Sequence, residues 1–219
     1  LGFTGTLNSF EYRSNTSITY KPTLYAVEID GKLLIDTGTN LSGLTQYPSI
    51  AATGCSVGTK QGFSIIKYTG DGVSGTSIPH GLTQKPDFFI VKDRGTVTNS
   101  NTKSWFVYHT DVGATKYLLL NTTAGQATGG LFNNAEPTSS VVYSSGQSTA
   151  TNTAEYIMYA WHNVPGLQKF GSYTGNGSAD GTFIELGFRP AIVWVKRYDA
   201  GAEPWVIYDS SRGSTNPNP

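Results

Sequence analysis

Lys85-Pro86-Asp87-Phe88-Phe89-Ile90-Val91-Lys92 returns further along the chain as Arg189-Pro190-Ala191-Ile192-Val193-Trp194-Val195-Lys196. In the first copy Phe88 to Val91 are consecutive apolar residues, so the stretch reads as a strand covered on both faces, in the middle of a sandwich. The flanking sequence repeats in the same order. Ahead of the two copies stand Phe63-Ser64-Ile65-Ile66-Lys67-Tyr68-Thr69-Gly70-Asp71-Gly72 and Lys169-Phe170-Gly171-Ser172-Tyr173-Thr174-Gly175-Asn176-Gly177. Behind them come Trp105-Phe106-Val107-Tyr108 and Trp205-Val206-Ile207-Tyr208.

Tyr68 and Tyr173 lie 105 positions apart, Pro86 and Pro190 lie 104 apart, and Trp105 and Trp205 lie 100 apart. Such slips fit loops of unequal length between strands in a fixed order. A period near 100 residues exceeds the ~20–50 residues of a solenoid repeat and matches the commonest domain size. The expectation is therefore tandem antiparallel β-sandwich units of about 105 residues, the second incomplete, with three segments: 1–58, the C-terminal part of a sandwich module plus linker; 59–166, a complete unit; and 167–219, the first half of a second. Both ends of the chain read as cuts in a longer polypeptide.

Composition agrees with an all-β reading. The 219 residues include 26 Gly, 13 Tyr, 10 Phe and 4 Trp, with only 14% charged. Aromatic and β-branched side chains pack well on a pleated surface, and Gly and Asn supply the positive φ of turns. Strands are expected near Gly62–Tyr68, Phe88–Asp93, Ser104–His109, Lys116–Leu120, Ser139–Ser144 and Glu155–Val164. Two polar stretches, Ala124–Gly130 and Gln147–Thr153, read as loops. Tyr25 to Asp36 shows two strand-like runs meeting at Asp30-Gly31, a hairpin signal because a type I′ turn needs positive φ at both central residues. Thr37 to Gln61 is rich in Gly, Ser, Thr and Asn and reads as linker. The junction through Val164-Pro165-Gly166 is short, which suits a stiff, elongated assembly.

Fifteen basic residues balance 15 acidic ones, leaving no electrostatic footprint for binding nucleic acid. No apolar run approaches the ~20 residues of a bilayer-spanning helix, so membrane insertion is not expected. Cys55 has no second Cys with which to form a disulfide.

Chemistry-bearing residues are sparse in pattern. His80, His109 and His162 are far apart in sequence and read as structural, their ring nitrogens tied to backbone groups. Asn176-Gly177-Ser178-Ala179-Asp180-Gly181 mimics the start of a calcium loop, but Gly187 stands where the bidentate Glu would be needed, so it reads as a turn. The carboxylates Asp71, Asp87, Asp93, Asp111, Glu136, Glu155, Glu185 and Asp209 show no spacing that pairs any two across a cleft. No nucleophile elbow or phosphate loop is present. The expectation is a non-enzyme with no catalytic residues, no metal site and no cofactor, and the sequence assigns no binding residue. Trp105, Trp161, Trp194 and Trp205 lie in apolar strands and read as packing residues. Any glycan contact would fall on the loops Thr96–Lys103, Ala124–Glu136 and Asp199–Glu203.

Phe170-Gly171-Ser172-Tyr173-Thr174-Gly175-Asn176-Gly177, then Leu186-Gly187-Phe188-Arg189-Pro190-Ala191 and Trp205-Val206-Ile207-Tyr208-Asp209, resemble a domain of unknown function found in tail-fibre-like structural proteins of marine and cyanobacterial tailed phages. Ile78-Pro79-His80-Gly81-Leu82, Lys85-Pro86-Asp87, Trp105-Phe106-Val107-Tyr108-His109 and Tyr159-Ala160-Trp161-His162 carry the same resemblance, which covers residues 62–219. The hairpin at Tyr25–Asp36 resembles the closing hairpin of concanavalin-like sandwich modules. The resemblance implies a virion structural protein, a tail fibre or similar appendage, with other virion proteins as partners, homo-oligomerisation with a trimer favoured, and attachment to a host-surface glycan through loops. The alternatives are a capsid decoration or head-fibre protein, and the ancillary carbohydrate-binding region of a polysaccharide-degrading enzyme.

Overall fold

A computed structural model describes residues 48–95 and 104–211, together with the backbone of 27–29 and 32–34. The described residues form antiparallel β-structure with a single 3₁₀ turn at Gly130–Phe132. β1 (Val27–Ile29) and β2 (Lys32–Leu34) pair antiparallel with Ile29 opposite Lys32, the hairpin expected there. The concanavalin-like module to which that hairpin was assigned lies otherwise outside the described residues.

The central element is a seven-stranded sheet. Its strands are β3 (Ala52–Gly58), β4 (Phe63–Thr69), β6 (Phe88–Asp93), β7 (Trp105–His109), β8 (Lys116–Leu119), β9 (Ala127–Thr128) and β11 (Glu155–Trp161), in the order β3-β4-β11-β6-β7-β8-β9. β6 is the middle strand, and Phe88, Phe89, Ile90 and Val91 are all buried. Phe89 and Val91 face the main core with Tyr68, Tyr108, Tyr156, Met158 and Phe132. Phe88 and Ile90 face a second cluster on the opposite side.

A ribbon of β5 (Thr76–Pro79) and β10 (Val141–Ser144) covers the main-core face, contributing Ile78 and Val142, so the arrangement is sandwich-like. Aromatic pairs across the ladder fill this core. Tyr68 faces Tyr156 with centroids 5.2 Å apart, Phe89 faces Tyr108 at 4.7 Å, and Phe132 meets Phe89 edge-on at 5.0 Å. Such pairs add ~0.5–1.5 kcal/mol each beyond the area they bury. The phenols are bonded inside: Tyr68 donates to Thr149 O at 2.6 Å, and Tyr156 Oη accepts Thr151 N–H at 3.0 Å.

The reading of Thr37 to Gln61 as linker needs correction. Residues 52–58 are β3, an edge strand paired with β4 and carrying a bulge between Ala52 and Gly54. Its small, polar residues have little strand propensity of their own, and the open hydrogen-bonding edge of β4 imposes the extended state. The boundary placed near residue 58 therefore cuts through the sheet.

The repeated sequence yields one repeated hairpin. β12 (Ile192–Val195) and β13 (Val206–Asp209) pair with Ile192 opposite Asp209 and Val193 opposite Tyr208. β6 and β7 pair with Phe88 opposite His109 and Phe89 opposite Tyr108, the equivalent positions in the same register. The closing bond recurs as well, Thr110 N–H to Asp87 O at 2.8 Å and Ser210 N–H to Ala191 O at 2.9 Å. So does the preceding turn. Asp71 Oδ1 accepts Val73 N–H at 2.9 Å and Asn176 Oδ1 accepts Ser178 N–H at 3.0 Å. Gly72 and Gly177, the residues between, have φ of 72° and 69°, where a side chain would be strained.

The copies diverge around these shared pieces. Phe63–Thr69 is strand β4, whereas its counterpart, residues 169–174, is not strand. β4 has β3 on one side and β11 on the other, and among the described residues 169–174 have neither equivalent. A strand without ladder partners has nothing to hold it extended.

Candidate functional site

Two of the three loops marked by sequence come together. Gln126 N–H donates to Tyr198 O at 2.8 Å, and Lys196 Nζ donates to Thr123 O at 2.9 Å and to Glu203 O. The approach at Gly125 is close enough that a Cβ there would lie 2.6 Å from Ala200 O. The third loop, Thr96–Lys103, lies outside the described residues.

Beneath the junction is the second apolar cluster. Phe88, Ile90, Val107 and Leu118 form its floor, and the half-buried rings of Trp105, Tyr159, Trp161, Phe170, Tyr198 and Trp205 close over them. Phe170 stacks on Phe88 with centroids 5.5 Å apart and planes 6° off parallel, and Trp161 lies 4.8 Å from Phe63. Trp205 Nε1–H donates to Leu119 O at 2.9 Å, and the Lys92 ammonium sits 5.9 Å from the centre of the Trp105 ring. Three of the four Trp therefore pack as the sequence suggested, although on the outer face of the sheet. Trp194 is the exception, at 45% exposed.

The segment between the copies is stitched. Gln168 Nε2 donates to Gln61 O, Gly62 O and His162 O at 2.7–3.0 Å. Asn163 donates its N–H to Asp87 Oδ2 at 2.7 Å and accepts Phe170 N–H at Oδ1, 2.6 Å.

Around the rim, Arg197 Nε donates to Asp199 Oδ1 at 2.9 Å. That bond holds the Asp199 carboxyl below its ordinary range and lifts the Arg197 guanidinium above its own. Both side chains are exposed, so the pair adds little stability. Partial desolvation beside the loop carbonyls lowers the Lys196 ammonium. What the rim offers is the Arg197 guanidinium, the Asp199 and Glu203 carboxylates, the Gln126 amide and the Tyr198 ring.

Several other polar residues singled out by sequence make bonds within the fold. His80 Nδ1 accepts Leu82 N–H at 3.1 Å and Nε2 contacts Thr138 O at 3.2 Å; burial pushes this ring down to about 4. His109 Nδ1 accepts Asp111 N–H, and His162 Nδ1 lies 2.7 Å from Asn163 O. Glu136 Oε2 accepts the Tyr108 hydroxyl at 2.5 Å and Oε1 accepts Ala114 N–H at 2.8 Å. Burial, with the Glu136 carboxylate second, pushes the Tyr108 phenol well up. Asp93 and Glu185 close turns onto Gly95 and Gly187, and Glu155 pairs with Arg94 at 2.7 Å. Among the described residues no group of three or more His, Cys, Asp or Glu could hold a metal ion.

The fold and the repeated hairpin define an antiparallel, sandwich-like β protein whose second sequence copy leans on the first through aromatic rings and loop carbonyls. A family model described as a domain of unknown function, DUF7483, matches residues 40–218, and the chain belongs to that family. The match starts ahead of β3, in keeping with that strand's place in the sheet. No curated protein and no solved structure matches the chain.

Proposed function

We propose that this chain is a segment of a tailed-phage virion appendage, a tail fibre or similar surface structure, built by repeating one β-sandwich unit of about 105 residues. The observation that carries the modular part is the shared register of β6–β7 and β12–β13, Phe88 opposite His109 and Ile192 opposite Asp209. Units of this kind, joined by a junction that Gln168 and Asn163 pin at both ends, add length without adding a hinge. The phage assignment rests on the sequence resemblance.

In this reading the protein is a structural component rather than an enzyme. It resides in the virion, assembles with other virion proteins and with copies of itself, a trimer being the favoured order, and meets host glycan at the rim formed by residues 121–126 and 196–203. Antibody raised against the chain and detected with gold on intact particles tests the assignment. Label on fibres or tail appendages supports it; label over the head points instead to a decoration protein, and particles that carry none overturn it.

A further inference from the structure

The core residues of the first copy have counterparts in the second that stand in solvent. Ile78 is 1% exposed and its counterpart Ile184 44%; Phe88 is 5% exposed and Ile192 61%. Tyr173 and Trp194, counterparts of the buried Tyr68 and Ile90, are exposed as well. The glycines carry the same contrast. A Cβ on Gly70 would lie 2.2 Å from Thr151 O, because the turn leading into β11 runs against it, whereas a Cβ on Gly175 would meet nothing within 4 Å. The second copy thus keeps the glycine and large apolar side chains of a covered unit, and among the described residues nothing covers them.

The first copy shows what does. β6 has β7 on one edge and β11 on the other, whereas among the described residues β12 has only β13. We infer that the free edge of β12 is an acceptor for one antiparallel partner strand of β11's character, carrying a small or apolar side chain at every second position. In β11 those positions are Tyr156, Met158 and Ala160, and Val91 faces Met158 while Ile90 faces Tyr159. Transferred to the second copy, that register sets the incoming Met against Val195 and the incoming Tyr beside Trp194. Backbone bonds along the edge supply affinity, and the alternating side chains supply selectivity. The inference deepens the modular reading but does not depend on the particle being a phage: a chain that accepts the strand yet is missing from virions keeps this proposal and loses that one.

The test uses the whole 219-residue chain and a synthetic peptide with the sequence of residues 150–163. Amide exchange at residues 192–195 is expected to slow on adding peptide, with exchange in β4, β6 and β11 unchanged, which excludes displacement of the chain's own β11. A peptide bearing Met158→Asp and Ala160→Asp is expected to give no protection, and Trp194→Asp in the chain to weaken binding about tenfold or more. Absence of protection at about 1 mM peptide, a concentration that would populate even weak complexes, overturns the proposal, as does equal protection by the Asp-bearing peptide. Concentration-dependent dimerisation of the chain that Trp194→Asp abolishes assigns the edge to a second copy instead, and equally overturns it.

Discussion

Phe170, at the start of the second sequence copy, lies flat on Phe88 in the middle strand of the first. The contact spans two segments that sequence reading had treated as separate units, and it makes the outer face of the central sheet an internal surface. With Trp205 bonded to Leu119 O and Lys196 to Thr123 O, it fixes where the second copy sits.

Phe170→Ala is therefore expected to cost about 1–2 kcal/mol, less than the ~3–5 kcal/mol of a fully buried Phe because the ring is half-buried. Amide exchange should quicken in residues 192–209 while the first-copy core stays protected. Uniform destabilisation of both regions would count against a local joint.

Gly70→Ala and Gly175→Ala make a paired comparison at equivalent positions. The first forces a methyl against the Thr151 carbonyl and is expected to destabilise by about 2–4 kcal/mol; the second meets open space and should stay within about 0.5 kcal/mol of the parent. Denaturant midpoints of the two variants decide it. Similar losses at both sites would mean that Gly175 is covered in the same way.

These contrasts mark what was legible in the sequence. Phe88 to Val91 announced a strand buried on both sides because four apolar residues in a row leave no wet face, and β6 is the centre of the sheet. The hairpin at β1–β2 was legible because Asp-Gly between two strand-like runs is a local signal for such a turn. Residues 52–58 and Thr76–Pro79 were missed because their extended state comes from pairing with β4 and β10, and Ala52-Thr53-Gly54-Cys55-Ser56 carries no local signal for it. The same physics accounts for 169–174, which keeps the Tyr-Thr of β4 but not its neighbours in the sheet. The meeting of residues 121–126 with 196–203 could not be read at all, because it depends on how the two copies rest on one another. The outward faces of Trp161 and Tyr159 were likewise hidden, since β11 is apolar on both sides and shows no alternation.

Glu136→Ala removes the acceptor for the buried Tyr108 hydroxyl and for Ala114 N–H together. A loss of about 2–3 kcal/mol is expected, dominated by the stranded phenol. Adding Tyr108→Phe should recover part of that loss, because no hydroxyl is then left without a partner. A double-mutant cycle in thermal unfolding measures the coupling, and strict additivity would refute it.

His80 sets a pH dependence. Its ring titrates at about 4 in the fold and near 6.5 unfolded, so between those values the unfolded chain binds a proton that the folded chain does not. Stability should accordingly fall as pH drops from 6.5 towards 4, by up to about 3 kcal/mol from this group, and be insensitive to it above neutrality. Burial lowers the His109 ring too, which acts in the same direction. His80→Gln should flatten the profile in this window, measured as urea midpoint against pH; an unchanged slope would assign the effect elsewhere.

The repeated register is the claim on which the modular account stands, and cross-strand proton contacts by NMR read it directly. The account predicts Val193 opposite Tyr208 and Ile192 opposite Asp209, matching Phe89 opposite Tyr108 and Phe88 opposite His109. A slip of one residue, with Val193 opposite Ile207, would turn every side chain of β12 to the other face and contradict it.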